Sequence, residues 1–256
     1  MRHGRLKDRV AIITGAARGI GKAAASKMID EGAAVVLVDI LSEELTLLAA
    51  ELNAAGGRAL GVTVDISDQK AVQRMVERAT GQYGTVDILV NNAGLGSSAS
   101  LEAAKEEDWD AVVKVNLKGS FFCTQAVVPI MKRKRYGKVV NIGSRVSLGK
   151  QDRTVYAATK AGLIGMTRTW ALELAPFSIN VNYIGPGTIA TEMFKQVNPE
   201  GSEKTIALIN SIPLKRMGRP EDVAHLISFL ASDEASFITG QTIFICGGMT
   251  VGAAHY

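Results

Sequence analysis

Tyr156 and Lys160 stand four positions apart in the run Val155-Tyr156-Ala157-Ala158-Thr159-Lys160-Ala161-Gly162. On a helix this spacing puts both side chains on one face, about one turn apart. An ammonium beside a phenol favours the phenolate. A free tyrosine titrates near ~10, so bringing it close to neutrality takes about 4 kcal/mol of preferential stabilisation of the anion. Lys160 together with a cationic cofactor ring is a source for that stabilisation. Such a tyrosine takes a proton from an alcohol or gives one to a developing alkoxide. Taken alone, the pair reads more readily as an ordinary surface pair, so the rest of the chain must decide.

A second constellation points to a dinucleotide. A short β-branched run leads into Thr14-Gly15-Ala16-Ala17-Arg18-Gly19-Ile20-Gly21 and then a helical pattern. Glycines in such a turn allow close backbone approach to a pyrophosphate, and the helix N-terminus favours an anion. The spacing is G-x-x-x-G-x-G rather than the common G-x-G-x-x-G, so the strand–turn–helix context carries the reading. Asp39 ends the second expected strand, 18 positions after Gly21, where a carboxylate accepts hydrogen bonds from ribose hydroxyls. It also repels a 2′-phosphate, at a cost of roughly 4 kcal/mol for unit charges ~4 Å apart at an effective dielectric of ~20. Ile40 and Leu41 follow and bring no offsetting cation, while Arg18 is the residue able to reach a phosphate. NAD(H) is therefore expected over NADP(H). Asp65 ends the third strand. It reads either as a contact to the adenine or as a helix cap, because Ser67 and Asp68 follow at once.

The elements that must hold these residues alternate. Residues 9–14, 33–38, 59–64, 86–90, 138–142, 179–184 and 242–245 read as seven apolar strands covered on both faces. Residues 20–31, 42–55, 67–83, about 108–135, 155–175 and 222–231 read as helices, with Ser42 and Ser67 at N-cap positions and Gly32 and Gly56 at C-terminal ones. The alternation predicts an α/β, doubly wound Rossmann-type fold: a seven-stranded parallel sheet with helices on both faces, in one domain over residues 1–256. Residues 186–213, rich in proline and glycine, are expected to form a substrate lid.

Composition excludes several classes. A net charge of +4 from 29 basic and 25 acidic residues does not call for nucleic acid. The run Lys132-Arg133-Lys134-Arg135 reads as a solvated helix end, where cations are favourable, rather than as a phosphate or targeting patch. Two distant cysteines, Cys123 and Cys246, suggest no disulfide framework. The histidines His3, His225 and His255 are isolated, so no metal site is expected. No apolar run is long enough for a signal sequence or a membrane span, and a cytoplasmic protein is expected.

With these pieces assembled, the chain resembles the short-chain dehydrogenase/reductase family over nearly its whole length. The resemblance rests on Thr14–Gly21, Asp65, Asn91-Asn92-Ala93-Gly94, Asn116, Asn141-Ile142-Gly143-Ser144, Tyr156-x-x-x-Lys160, Pro186-Gly187-Thr188-x-x-Thr191, Thr239-Gly240-Gln241 and Gly247-Gly248. It implies Tyr156 as general acid/base, Ser144 as a hydrogen-bond donor to the substrate oxygen, and Lys160 as a partner of the nicotinamide ribose that lowers the tyrosine pKa. It implies that Asn116 kinks its helix and holds a water on a proton path from Lys160. The same amide also reads as a buried group satisfying backbone atoms. The implied cofactor site comprises Gly15, Arg18, Gly19, Ile20, Gly21, Asp39, Asp65, Ile66, Asn92, Ala93, Gly94, Tyr156, Lys160, Pro186, Gly187, Thr188, Ile189 and Thr191. The family usually places its serine thirteen positions before the tyrosine. Here Gly143 occupies that place, and Ser144 lies one position later, as if the loop 145–155 had lost a residue. Ser147 is the alternative.

The implied reaction is hydride transfer between a nicotinamide and a secondary alcohol or ketone. Leu95, Val146, Arg153 and Met193 are expected to face the substrate, with Leu148, Ile189 and Phe194 nearby. Arg145, Lys150 and Arg153 read as solvated loop charges, with an anionic substrate as the other possibility. The sequence also resembles 3-oxoacyl-(acyl-carrier-protein) reductases, which commonly use NADPH and a basic patch, here to be sought at Arg133 and Arg135. A non-catalytic NAD-binding sensor is a further reading. Family members are usually homotetramers or homodimers that pair long helices, which places Phe121, Phe122, Val127, Trp170 and Leu174 either at an interface or in the core.

Overall fold

A computed structural model describes residues 4–192, 194, 198–199 and 201–252. Met193, expected at the substrate, lies outside the described residues, as do His3 and His255. The strands β1 (Val10–Thr14), β2 (Ala34–Asp39), β3 (Arg58–Thr63), β4 (Ile88–Asn91), β5 (Gly137–Ile142), β6 (Ile179–Pro186) and β7 (Thr242–Ile245) form one parallel sheet in the order β3-β2-β1-β4-β5-β6-β7. The order reverses between β1 and β4. In such sheets the crevice beyond the strand C-termini at that point is where ligands bind.

Strand alternation fills two cores. Ala11, Ile13, Val35, Leu37 and Val140 face helices α1 (Gly19–Asp30), α2 (Ser42–Ala54) and α8 (Pro220–Leu230). Ile12, Val36, Val38, Leu89 and Val139 face the other way, against α3 (Gln69–Tyr83), α5 (Ser120–Lys134) and α6 (Thr154–Leu174). Period-two patterning with both faces apolar is what a sheet sandwiched between helices requires.

Helix ends refine the expectations. At the end of α1, Ala33 N–H reaches Met28 C=O and Gly32 N–H reaches Ile29 C=O. The same pair of bonds closes α2 through Gly56 and Gly57, so both glycines stop their helices as expected. Ser42 is not a cap: it lies inside α2, whose N-cap is Leu41. Ser67 is not a cap either. Asp68 is, its carboxylate accepting from Lys70 N–H and Ala71 N–H. Asp68 has the extended backbone that a cap needs, and a carboxylate also favours a helix N-terminus.

The long helix expected over 108–135 is α4 (Glu106–Val113), a π-helical turn (Lys114–Gly119) and α5 in continuous succession. Within the stretch 186–213, expected to form a lid, α7 (Glu203–Ser211) forms, capped by Ser202 Oγ accepting from Thr205 N–H at 3.3 Å. Of the helix residues considered for an interface, Val127 and Leu174 belong to the core, whereas Phe121 is 40% exposed. Both cysteines are free. Among the described residues no helix is long and apolar enough to cross a membrane.

Candidate active site

Parallel strands deliver the expected residues to one edge. β5 ends at Ile142, Gly143 and Ser144 follow, and a 3-10 turn (Arg145–Leu148) leads to α6. Tyr156 lies in the first turn of α6 and Lys160 one turn later, on the same face. Lys160 is only 4% exposed. Its Nζ donates to Ile142 C=O at 2.9 Å and stands 5.6 Å from the centre of the Tyr156 ring. Burial pulls the Lys160 ammonium down to about 8. The Tyr156 phenol is raised, not lowered: burial acts first and upward, and the hydrogen bond with Ser144 pulls back down. The expectation of a depressed phenol thus does not hold for the chain by itself. Lys160 is aimed at the Ile142 carbonyl, and desolvation of the phenol outweighs what its neighbours supply.

Ser144 is held by a residue that the sequence reading missed. Its N–H donates to Tyr183 Oη at 2.9 Å, and Tyr183 O–H donates back to Ser144 C=O at 3.1 Å. Tyr183, on β6, is fully buried. The room for its ring comes from Gly143, where a Cβ would fall 1.8 Å from Tyr183 Cζ. The hydroxyl of Ser147, the alternative, is buried without a hydrogen-bond partner and acts on the Tyr183 phenol rather than on Tyr156. Of the two serines, Ser144 is the one that pulls the Tyr156 phenol back down.

A test of this packing follows. Gly143→Ala should destabilise the chain by about 3 kcal/mol, the upper range for overpacking a core. Adding Tyr183→Leu should recover much of the loss in a thermal melt, because the two sites share one space. Additive losses would show that the clash is not the cause.

Asn116 sits in the π-helical turn and is 1% exposed. Its Oδ1 accepts from Leu95 N–H at 2.8 Å, and its Nδ2 donates to Leu95 C=O at 3.0 Å and to Thr159 Oγ1 at 3.1 Å. The amide thus satisfies backbone groups after β4, and the helix is distorted at its own position. Gly94 lies beside both Asn116 and Lys160: a Cβ there would stand 3.2 Å from Asn116 Oδ1 and 3.4 Å from Lys160 Nζ. Asn92 Nδ2 donates to Thr14 C=O and Gly15 C=O, and Thr14 Oγ1 accepts from Asn92 N–H and Ala93 N–H. Asn91 and Asn141, paired across β4 and β5, join at 2.8 Å. These amides tie the glycine turn to the strand that precedes Asn116.

The glycine turn fits a dinucleotide. Gly15 has φ +65°, and a Cβ there would meet Ala93 Cα at 2.8 Å. The N-cap of α1, Arg18, makes no side-chain capping bond, so the first helical N–H groups, at Gly19, Ile20 and Gly21, are offered to a ligand. Asp39 Oδ2 accepts from Ala17 N–H at 3.0 Å, and Oδ1 accepts from Ile40 N–H and Leu41 N–H at 2.8 and 3.2 Å. Its carboxylate therefore faces the turn. Arg18 pairs with Glu44, which occupies the cation expected to reach a phosphate. Asp65 Oδ1 accepts from Ser67 N–H at 2.8 Å, while the capping of α3 falls to Asp68. Ile66 is buried and packs on Gly119 in the π turn. From the end of β6, Pro186, Gly187, Thr188 and Ile189 run on until Thr191 returns over Gly19. Ile189 and Gly218 form a β-bridge that pins this segment.

Of the expected substrate residues, Leu95 is 44% exposed and Val146 is buried. Arg153 Nη1 donates to Ser97 C=O at 2.8 Å. The basic run 132–135 lies at the opposite edge of the sheet, because α5 runs back some 22 Å at 1.5 Å per residue before β5 starts. Lys134 pairs with Asp87, Arg135 bonds Pro176 C=O, and Lys132 lies over Phe177. Arg133 and Arg135 are therefore not a patch beside the Tyr156 site.

A family model described as enoyl-(acyl carrier protein) reductase matches residues 15–250. A 3-oxoacyl-(acyl-carrier-protein) reductase of Thermotoga maritima is 47% identical over 248 residues, spanning 96% of this chain and all of that protein. A (2S)-((R)-hydroxy(phenyl)methyl)succinyl-CoA dehydrogenase subunit of Thauera aromatica is 42% identical, spanning 97% of this chain and 99% of that protein. The crystal structure of levodione reductase superposes with a TM-score of 0.91 at 36% identity, covering 97% of this chain and all of that one.

Proposed function

Since the chain belongs to the short-chain dehydrogenase/reductase family, we propose that its Ser144–Tyr156–Lys160 site interconverts a ketone and a secondary alcohol with NAD(H). The observation that carries this reading is the meeting of Ser144 and Tyr156 at the end of β5, with Lys160 and Asn116 one contact away and the glycine turn alongside. When bound, a nicotinamide dinucleotide supplies the hydride acceptor or donor. Gly15, Gly19, Ile20 and Gly21 would hold its pyrophosphate, Asp39 its ribose, and Asn92, Ala93, Gly94 and residues 186–191 its other half.

The chain's own groups handle the proton. In reduction, Tyr156 O–H gives its proton to the oxygen of the carbonyl, and Ser144 O–H donates a second hydrogen bond to that oxygen, in the manner of an oxyanion hole. In oxidation the proton returns to the phenolate. Lys160, held by Ile142 C=O in the chain by itself, would favour that phenolate when charged and released toward the site. Arranging donor and substrate in one pocket supplies much of the acceleration.

The names of the two relatives favour a 3-oxoacyl or 3-hydroxyacyl thioester as the first substrate class to try, whereas Asp39 favours the unphosphorylated cofactor. The protein is further proposed to be cytoplasmic and to work as a homotetramer or homodimer through α5 and α6, where Phe121 and Leu172 are exposed. Residues 186–213, with α7, are proposed as a lid over the cleft.

The test is a panel of ketones, secondary alcohols and short acetoacetyl thioesters with both cofactors, read by nicotinamide absorbance. Ser144→Ala should lower turnover by about 10²–10³, the usual loss for one such donor. Retained activity there, together with loss in Ser147→Ala, would overturn the assignment of the serine.

A further inference from the structure

Ser144 is set in place from a neighbouring strand. The β5–β6 register ends with Ile142 opposite Ile184, and Gly143 N–H donates to Ile184 C=O at 2.7 Å. One residue later a side chain takes over from the strand backbone. Ser144 N–H donates to Tyr183 Oη at 2.9 Å, and Tyr183 O–H donates to Ser144 C=O at 3.1 Å. One phenol thus serves both backbone groups of a single residue, as a paired strand would. Its ring reaches that far because it lies over two glycines. A Cβ on Gly143 would stand 1.8 Å from Tyr183 Cζ, and one on Gly185 would stand 3.3 Å from Cε1.

The clamp is itself anchored. Tyr183 pairs with Asn141 in β5 and with Thr242 in β7, and its N–H donates to Gln241 C=O at 2.8 Å. The residue is fully buried. At Ser144 the backbone is extended, with φ −164° and ψ 154°. Fixing its N–H and C=O fixes the two peptide planes that flank its Cα, and with them the direction of the Cα–Cβ bond. Ser144 Oγ then accepts from Val146 N–H at 3.1 Å. Accepting there leaves the hydroxyl its own hydrogen to donate. A donor to a developing oxyanion is effective only where the charge appears, and a misplacement of ~1 Å costs up to about 10² in rate.

We infer that Tyr183 is a positioning residue for the reaction: its phenol holds the Ser144 backbone so that the Ser144 hydroxyl stays aimed at the substrate oxygen. The inference rests on the reading of Ser144 as a donor to that oxygen. Tyr183 acts through Ser144. Without the phenol, two buried backbone groups of one residue lose their partner, and the segment must shift to satisfy them.

Tyr183→Phe removes one oxygen and keeps the ring, so it separates the hydrogen bonds from the packing. Rates are measured with NADH and the acetoacetyl thioester of N-acetylcysteamine, with a thermal melt of each protein. The set is the unaltered chain, Tyr183→Phe, Ser144→Ala and their double variant. Tyr183→Phe should lower kcat about tenfold and leave the KM for NADH unchanged. In the Ser144→Ala background the same change should cost less than about twofold, because the group it aims is gone. An unchanged kcat in Tyr183→Phe, or an equal loss in both backgrounds, overturns the inference. Full turnover in Ser144→Ala defeats the donor reading, and the inference with it. The Gly143→Ala/Tyr183→Leu pair should stay slow even where its stability is regained, and full turnover there would show that the ring serves packing alone. A last measurement needs no turnover. In hydrogen exchange the Ser144 amide of the unaltered chain should be protected as a strand amide is, and should exchange about tenfold faster in Tyr183→Phe. Exchange at the rate of an open loop in the unaltered chain overturns the inference, whatever ketone the site takes.

Discussion

Tyr156→Phe is expected to lower turnover by about 10³ or more while leaving the fold and dinucleotide binding in place. The change removes a single oxygen from a half-buried ring, so packing is kept. The Ser144 hydroxyl keeps the bond it accepts from Val146 N–H at 3.1 Å. What disappears is the proton donor, and general acid–base groups contribute about 10²–10⁴ in rate. The measurement pairs a nicotinamide absorbance assay with a thermal melt and a fluorescence titration of NADH. A variant that keeps its activity would sink the catalytic assignment and leave a binding protein on the same scaffold. The pH dependence has a definite sign. Burial raises the Tyr156 phenol in the free chain, so it stays protonated at neutral pH and is ready to give its proton away. Reduction should therefore run steadily through neutrality and fall only at alkaline pH, whereas oxidation, which begins from the phenolate, should climb as pH rises. Lys160, at about 8, carries its charge below that value and loses it above, so its help to the phenolate fades on the alkaline side. An oxidation rate that does not change with pH would contradict the role of the phenol.

The site was legible where chemistry demands a spacing, and illegible where burial or competition decides. That Tyr156 and Lys160 share a helix face followed from their separation of four, whereas the roles proposed for them and for Ser144 came only with the family resemblance. The direction of the Tyr156 shift needed the burial of its ring and the aim of Lys160 at Ile142, neither of which a string of letters contains. Strands covered on both faces announced themselves by apolar runs, so the sheet was readable throughout. Caps were not, because Ser67 and Asp68 are both competent and the backbone at Asp68 chose between them. Helix α7 was hidden by the prolines and glycines around it, although Ser202 followed by Glu203 was a starting signal. Tyr183 gave no sign at all in its strand. Only the proximity of Gly143, which sits across the β5–β6 pairing, shows that one aromatic ring fixes the backbone of Ser144. Val127 and Leu174 were ambiguous for a related reason: an apolar residue on a helix does not say which face the sheet will cover.

Asp39→Ser should shift the cofactor preference toward NADP(H) by about 10²–10³ in the ratio of kcat/KM values. A carboxylate ~4 Å from a 2′-phosphate costs roughly 4 kcal/mol at an effective dielectric of ~20, and solvent at the open end of β2 reduces this. The nearest cation cannot compensate in the unaltered chain. Arg18 is committed to Glu44, and that hydrogen bond is the largest influence on its guanidinium, with Glu192 and Asp39 adding further negative charge around it. Glu44→Gln alone should therefore raise NADP(H) use modestly, because Arg18 is released while Asp39 still repels. The double variant should exceed the sum of the single changes, since the freed guanidinium then meets a phosphate that nothing opposes. The same substitution carries a structural consequence that can be measured separately. Asp39 accepts from Ala17 N–H and so braces the glycine turn against β2. Its loss should weaken NAD binding more than removal of a ribose contact would, and lower the melting temperature slightly. Faster turnover of the unaltered chain with the phosphorylated cofactor, at equal subsaturating concentration, would mean that Asp39 does not face the ribose and that the carboxylate serves the turn alone.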